Sequence, residues 1–334
     1  MSVRRLALGT LTSAILASVC LSAQAPPSVD TLISSAKAAA GTDWQGTFTR
    51  LCIPPPPARG GGAEPGGNAR ALPPRETWHV EPAKVGDNFY FIGEKAHHSW
   101  ALVGSDGVIL IEALYDYMTA DEVVGGMRKL GLDMTKVKYA VMSHAHADHD
   151  GGAAYLQDSV LGMHLVYGAG DWDAIEKASF HAGGKPKRDM VGTDGMKLSV
   201  GDASLQIVTM PGHTPGTLSY LFEFKDRGRP LRVAYVGGTA IPFDASPAYY
   251  DEYITSSKKF AKAAADFGAT VLLSNHTEFD NGYYKAHTAA NRKPGEPNPF
   301  DVGKDGVARY FSVVQSCAEA TKLRASMKKQ TGQH

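Results

Sequence analysis

The sequence has no excess of charge of either sign. Its 334 residues include 34 Lys and Arg and 34 Asp and Glu, which gives a formal net charge of zero at pH 7. The chain contains no run of basic residues that could follow a phosphate backbone, so we expect no nucleic-acid partner. The 43% content of hydrophobic residues is that of a globular protein with a sizeable core, in one large domain or two.

The N-terminal region lacks an apolar run long enough for a membrane span. Leu6–Leu21 is short and is interrupted by Thr and Ser residues. Two arginines precede it and the small-residue pattern AQA follows it, as in a secretory signal peptide with its cleavage site. We predict that residues 1–25 are a signal peptide, that the mature chain has no membrane span, and that it is periplasmic or secreted. An N-terminal anchor helix is the alternative.

Cysteine is scarce, with three residues in the chain. Cys20 lies in the predicted signal peptide, which leaves Cys52 and Cys317 in the mature protein. An oxidising compartment permits a disulfide between these two residues. Two buried free thiols are an equally good interpretation, because their geometry cannot be derived from the sequence.

Residues 26–74 form an N-terminal segment that ends in a Pro- and Gly-rich stretch. Residues 54–74 read PPPPARGGGAEPGGNARALPP, which is typical of a flexible or extended linker. A short helix is expected before it, over Val29–Ala40. From residue 75 to residue 334 we expect one domain with a C-terminal helical extension.

Strand and helix patterns alternate within this domain. Helical spacing is found in Thr119–Leu130, with Thr119 as a plausible N-cap, in the amphipathic segment Asp251–Phe267, and in Lys304–Lys328 at the C-terminus. Helices that cover mixed strands on both sides predict a layered α/β sandwich. The strand-like segments are residues 88–93, 99–104, 107–112, 137–143, 163–168, 205–210, 218–224, 231–238 and 270–275.

The segment Ser143–Gly152 concentrates metal-ligating residue types. It reads SHAHADHDGG and directly follows a predicted buried strand. His144 and His146 are two residues apart, so an extended backbone points both side chains to the same side. Asp148 and His149 add a carboxylate and an imidazole where the chain turns toward a helix. Nitrogen ligands with one carboxylate suit zinc.

The other histidines fall into three groups. His213, in MPGHTPGTLSY, and His276, in LLSNHTEFD, lie at strand ends and are candidate ligands. His97 and His98, in EKAHHSW, are candidates for lining a pocket. The remaining histidines are predicted to be surface or core residues: His79, His164, His181, His287 and His334.

The segments SHAHADHDGG, PGHTPG and SNH, in this order, resemble the metallo-β-lactamase superfamily over roughly Val85–Asp280. The resemblance implies an αββα four-layer sandwich with two zinc ions per chain at one edge of the two sheets. It also implies a zinc-bound hydroxide as nucleophile, with Asp148 as a catalytic residue that orients the water and passes a proton to the leaving group. The implied ligands are His144, His146 and His213 for the first ion, and Asp148, His149 and His276 for the second.

One element of the superfamily pattern is missing. Many of its hydrolases, including glyoxalase II-like enzymes and acyl-homoserine lactonases, carry a metal-bridging aspartate in a Gly-Asp motif. Here the matching stretch is YVGGTAIPF, where Gly238 offers no side-chain ligand, so the second ion is expected to bind less tightly than the first. Glu112 also stands where the superfamily usually has Asp.

Gly238 and the histidine-containing second site together resemble the third subclass of class B β-lactamases. In that subclass, hydroxyls of the following loop help to hold the substrate carboxylate, which makes Thr239 a candidate substrate-binding residue. The leading hypothesis is a secreted zinc-dependent hydrolase that opens the amide ring of small-molecule β-lactams, an activity that confers antibiotic resistance. The alternative is a related dinuclear zinc hydrolase for another ester, lactone or amide. A non-catalytic zinc-binding protein is the third hypothesis. The oligomeric state is not predicted.

Overall fold

The computed structural model describes residues 27–55 and 73–331. The predicted signal peptide and most of the predicted linker lie outside the described residues, so both stay predictions. Within the described ranges, no helix combines the length and the apolar character that a membrane crossing requires.

The described residues contain two β-sheets, and the first has seven strands in the order β1-β2-β3-β4-β5-β6-β7. Strands β1 to β4 pair antiparallel, and β4 to β7 pair parallel. Helices connect the parallel strands, as parallel pairing requires. The strand bounds are Ala83–Lys84, Phe89–Phe91, Trp100–Gly104, Gly107–Ile111, Val137–Val141, His164–Tyr167 and Met190–Val191.

The second sheet has five strands among the described residues, in the order β12-β11-β10-β9-β8. Strands β8 to β11 form an antiparallel set, and β12 is added parallel to β11. The bounds of β8 to β12 are Lys197–Val200, Ala203–Thr209, Leu218–Asp226, Arg229–Val236 and Val271–Ser274.

An aromatic core lies between the two sheets. The ring of Phe89 stacks on Trp100 at 4.8 Å within the first sheet and on Phe224 of the second sheet at 4.9 Å. All three side chains are buried, so they bring a large apolar area out of water at the sheet interface.

Helices cover the outer face of each sheet. The apolar side chains of α4, α5, α7 and α8 pack on the first sheet, and those of α1, α2, α9 and α12 pack on the second. This arrangement confirms the predicted αββα four-layer sandwich. The helices α1 to α12 are Val29–Ala40, Gln45–Cys52, Arg75–Trp78, Asp116–Thr119, Gly125–Lys129, Ala147–Asp150, Ala153–Ser159, Ala169–Lys177, Pro247–Phe267, Thr277–Asp280, Gly282–Ala290 and Gly303–Thr331, with a π-helical turn at Ala120–Val124 between α4 and α5.

Thr119 is not an N-cap, and that prediction was wrong. The helix begins at Asp116, and the Thr119 hydroxyl lies 2.8 Å from the carbonyl oxygen of Ala113 and 2.9 Å from that of Tyr115. A cap accepts from a free N–H ahead of it, whereas this hydroxyl donates backward to carbonyls. The position of the Thr119 side chain explains why residue 152 is a glycine, because a Cβ there would approach the Thr119 hydroxyl oxygen to 1.8 Å.

The N-terminal segment packs on the C-terminal helix. Helix α1 has the predicted bounds, and Ser28 caps it by accepting from the Thr31 N–H at 3.2 Å. Between α1 and α2, the indole N–H of Trp44 donates to the carbonyl of Gly306 in α12 at 2.9 Å. A disulfide joins Cys52 to Cys317, so the interpretation as two free thiols was wrong.

Removal of this disulfide tests how firmly the N-terminal helices are attached. The bond closes a loop with a sequence separation of 265 residues, so its loss frees a long segment of the unfolded chain. We expect the double variant Cys52→Ala/Cys317→Ala to lose about 2–4 kcal/mol in free energy of unfolding, measured by urea denaturation. A free energy of unfolding equal to that of the wild type would contradict a stabilising disulfide.

Candidate metal centre

The candidate centre lies where strands of both sheets end. Strand β5 leads through Ser143 into His144, and β12 leads through Asn275 into His276. The loop between β9 and β10 carries His213, and β11 ends just before the glycine pair 237–238. Loops from both sheets therefore bring residues distant in sequence to one edge of the sandwich.

The structure brings the first set of predicted ligands together. Nε2 of His213 lies 3.1 Å from Nε2 of His144 and 3.2 Å from Nδ1 of His146. One ring nitrogen from each of the three residues lies within 4.8 Å of the other two. Three converging nitrogens that leave a further position open form a common type of zinc site.

Backbone carbonyls orient two of these rings. The Nδ1–H of His144 donates to Gly237 O at 2.8 Å, and the Nδ1–H of His213 donates to Ala240 O at 2.7 Å. With Nδ1 protonated, Nε2 of each neutral ring presents a lone pair to the centre. Burial and the neighbouring imidazoles lower the pKa of His213 to about 4 and hold the pKa of His144 well below its usual value. Both rings are therefore neutral at pH 7, as metal ligands must be.

The second set converges on the Asp148 carboxylate. Its Oδ2 lies 3.3 Å from Nε2 of His149 and 3.5 Å from Nε2 of His276, and these two nitrogens are 3.0 Å apart. Burial alone would raise the pKa of Asp148, but the facing imidazoles, His149 foremost, hold it well below its usual range. The carboxylate is therefore ionised at neutral pH and is available as a ligand.

His97 joins the second set. Its Nε2 lies 3.5 Å from Oδ2 of Asp148, and its ring packs edge-on against His276 with centroids 4.8 Å apart. Donor atoms of His97, Asp148 and His276 lie within 4.8 Å of one another. The sequence predicts that His97 lines a pocket but gives no reason to group it with Asp148. The two residues come together because the backbone at His97 pairs with the loop after β12, which carries His276.

The remaining described histidines have other partners. His98 uses both ring nitrogens within the protein, since Nδ1–H donates to Ser274 O and Nε2 accepts from the Thr277 hydroxyl, each at 2.8 Å. His79, His164 and His181 each lie beside a carboxylate outside the two ligand sets. His287 lies in α11, away from the centre, and His334 is outside the described residues.

Asp171, in α8, supports both loops of the first set but was missed in the sequence. Its carboxylate accepts from Ala145 N between two ligands of the motif, and from Thr214 Oγ1 and Gly216 N beside His213, each at 2.9 Å. No sequence pattern indicates that α8 contacts the loop of His144 and His146 and the loop of His213.

Glu112 lies beneath the motif. Its Oε2 accepts from Ser143 N at 3.2 Å and its Oε1 accepts from the Tyr235 hydroxyl at 2.9 Å. Burial raises the pKa of Glu112 to about 7, against the opposing effect of His149. The Glu112 side chain therefore reaches the layer that supports the ligands.

Gly238 lies against His213. A Cβ on this glycine would approach Cβ of His213 to 2.6 Å and Cγ2 of Thr217 to 3.0 Å. These are atoms close to the backbone, so any side chain at position 238 would displace the ligand.

Thr239 does not face the centre, which contradicts its predicted contact with substrate. The residue is 1% exposed, and its hydroxyl forms hydrogen bonds with Tyr310 Oη at 2.8 Å and Ser274 Oγ at 3.0 Å. The side chain of Thr239, which follows β11, points into the layer beneath α12, where it contributes to packing.

A cavity of about 460 Å³ is lined by two residues that contact the ligand residues, although no ligand residue itself lines it. Its wall includes Ala240, whose carbonyl orients His213, and Phe279, whose ring lies 5.8 Å from that of His276. The opposite wall comes from α2 and the chain after it, with Arg50 and Ile53. The N-terminal segment thus helps to shape a cavity of the size that small organic ligands occupy.

Known proteins resemble this chain in sequence and in fold. A probable metallo-hydrolase of Burkholderia pseudomallei (strain 1710b) is 27% identical over 173 residues, 44% of this chain and 55% of that protein. A hydroxyacylglutathione hydrolase of Xanthomonas axonopodis pv. citri is 30% identical over 127 residues, 38% of this chain and 43% of that protein. The chain therefore spans about half the length of the curated relatives it matches.

A solved structure is similar over more of its length. BJP-1, a subclass B3 metallo-beta-lactamase of Bradyrhizobium japonicum, superposes with a TM-score of 0.60 at 26% identity, covering 77% of this chain and 95% of that protein. In sequence, residues 92–229 match the model of the metallo-beta-lactamase superfamily. Residues 92–229 therefore match the metallo-beta-lactamase superfamily, and the described chain shares the four-layer fold of that solved structure.

Proposed function

We propose that this chain is a dinuclear zinc hydrolase that opens the amide ring of β-lactams. The observation that carries the proposal is the convergence of two sets of imidazoles around one ionised carboxylate. This set of nitrogen and oxygen donors fits zinc. Bound zinc would supply Lewis acidity at the substrate carbonyl and would lower the pKa of a water molecule toward ~7.

Residues of the chain account for the other parts of the reaction. The Asp148 side chain is about one-fifth exposed, so it can reach a water molecule in the cleft as well as the second set. Its carboxylate orients this water by accepting a hydrogen bond and carries a proton to the leaving nitrogen. Asp171 and Glu112 keep the ligand loops in place, and we propose that the substrate enters along the cavity lined by Ala240 and Phe279.

Two observations favour a lactam over a lactone as substrate. Position 238 has no room for a bridging aspartate beside His213. BJP-1, which resembles this chain over 95% of its own length, is a metallo-beta-lactamase by name. The similarity to a hydroxyacylglutathione hydrolase supports the second candidate, a related hydrolase for another ester, lactone or amide.

We also propose that the protein is exported, with residues 1–25 as its signal peptide. The Cys52–Cys317 disulfide supports export, since such bonds persist in oxidising compartments such as the periplasm.

A substrate panel tests the activity. Purified zinc-loaded protein is assayed with a penicillin, a cephalosporin, a carbapenem, an acyl-homoserine lactone and a hydroxyacyl ester. We expect the highest kcat/KM for a β-lactam, and a loss of at least a hundredfold in Asp148→Ala, because that variant lacks the group that handles the proton. Asp158→Ala, an exposed position in α7, is the matched control and should keep wild-type turnover.

Preference for the lactone or the ester would replace the leading function by the second candidate. No turnover of any substrate by protein that contains zinc would contradict the hydrolase itself.

The close contact at Gly238 gives a separate prediction. Gly238→Ala should displace His213 and weaken zinc binding at the first set by at least tenfold, measured by competition with a chelator. Gly125→Ala is the control, because an added Cβ there comes no closer than 3.6 Å to its nearest neighbour, the Ala120 carbonyl oxygen. Native zinc affinity in Gly238→Ala would show that this position tolerates a side chain and would remove the steric argument against a bridging carboxylate.

A further inference from the structure

The backbone around His97 is paired with the loop that carries His276. His97 and His276 form an antiparallel bridge, and Thr277 N donates to Ala96 O at 2.9 Å on one side of it. His98 N donates to Asn275 O at 3.0 Å on the other side. The two histidines therefore lie on adjacent, hydrogen-bonded backbones, and their relative position is fixed by the fold.

A buried carboxylate fixes the His97 ring. Glu94 is fully buried and accepts from Ala96 N and from His97 N, each at 2.8 Å, and the Nδ1–H of His97 also donates to Glu94. This leaves the lone pair of Nε2 directed away from Glu94 and toward Asp148. A carboxylate that receives the outer N–H of an imidazole is the usual support of a histidine metal ligand.

We propose that His97 is a further protein ligand of the second metal ion, beside Asp148, His149 and His276. The inference rests on the dinuclear site of the proposed function. Tetrahedral zinc with bonds of about 2.0–2.1 Å places its ligand atoms roughly 3.3–3.4 Å apart. Oδ2 of Asp148 lies 3.3–3.5 Å from Nε2 of each of the three histidines, and the nitrogens of His149 and His276 are 3.0 Å apart. The rings of His97 and His149 are farther apart, with centroids at 6.0 Å, so the two rings must approach each other when a shared ion binds.

His97 as a ligand changes the affinity expected for the second ion in the absence of a bridging aspartate at Gly238. The sequence predicts a loosely held second ion, because three protein ligands and no bridging carboxylate would bind it. His97 is a fourth protein donor, on a buried ring that Glu94 supports, and it replaces the bridging aspartate that is absent at Gly238. The second ion is therefore held without a bridging carboxylate. The alternative is that His97 only pairs with Asp148 and contributes nothing to metal affinity.

Metal titration distinguishes the two roles. The second-ion affinity of the wild type, His97→Ala and His164→Ala is measured by stepwise chelator competition with zinc quantified by mass spectrometry. His164 is an exposed histidine paired with Asp189, away from the centre, and serves as the matched control. We expect His97→Ala to bind the second ion at least tenfold more weakly with the first ion unchanged, and His164→Ala to match the wild type. Second-ion affinity within twofold of the wild type in His97→Ala would overturn the proposal.

A measurement on the wild-type chain does not depend on the folding of a variant. The protein is loaded with two equivalents of cadmium-113 and labelled with nitrogen-15 at histidine, and couplings between metal and ring nitrogen are counted by NMR. Three coupled histidines at each cadmium are expected, since His97 adds one to the second set. Two coupled histidines at the second cadmium would overturn the proposal.

The same titration separates this inference from the proposed function. A wild-type protein that binds two ions, with no effect of His97→Ala, contradicts the role of His97 alone. A wild-type protein that binds fewer than two ions under zinc-replete conditions contradicts the dinuclear site and this inference together.

Discussion

The mutual approach of six imidazoles around one carboxylate is the constraint on which the centre depends. Most neighbouring rings in this cluster have centroids 4.4–4.9 Å apart, His97 and His149 are 6.0 Å apart, and Asp148 is the carboxylate among them. Burial and mutual repulsion disfavour protonation of His144, His213 and His276, whose pKa values are lowered. Lone pairs that converge without protons favour a cation, so metal binding and stability of this edge are coupled.

The rest of the molecule holds this cluster in place from several directions. Asp171 joins the motif loop to the His213 loop, and Glu112 supports the end of β5. Glu94 fixes His97, while backbone pairing attaches its turn to the His276 loop. The N-terminal helices, attached through the Cys52–Cys317 disulfide, contribute a wall of the neighbouring cavity. Segments from the whole length of the described chain therefore shape one edge of the sandwich.

The sequence predicts what depends on local pattern and fails where tertiary packing decides. Alternating strands and helices predicted the layered sandwich, and SHAHADHDGG with His213 and His276 predicted residues that the structure brings together. Thr239 was misassigned because its hydroxyl partners, Ser274 and Tyr310, come from distant parts of the chain. Thr119 was misassigned because the helix begins earlier, at Asp116, so its hydroxyl faces preceding carbonyls. His97 was left outside the ligand set because its contact with Asp148 depends on backbone pairing across nearly 180 residues of chain, from His97 to His276.

The central claim is that two metal ions bind at this edge, one in each set of ligands. A crystal structure of the zinc-loaded protein, with anomalous data collected at the zinc edge, tests it most directly. Two anomalous peaks about 3.5–4 Å apart are expected, one among His144, His146 and His213 and the other beside Asp148 and His276. A single peak, or peaks outside these two sets, would contradict it.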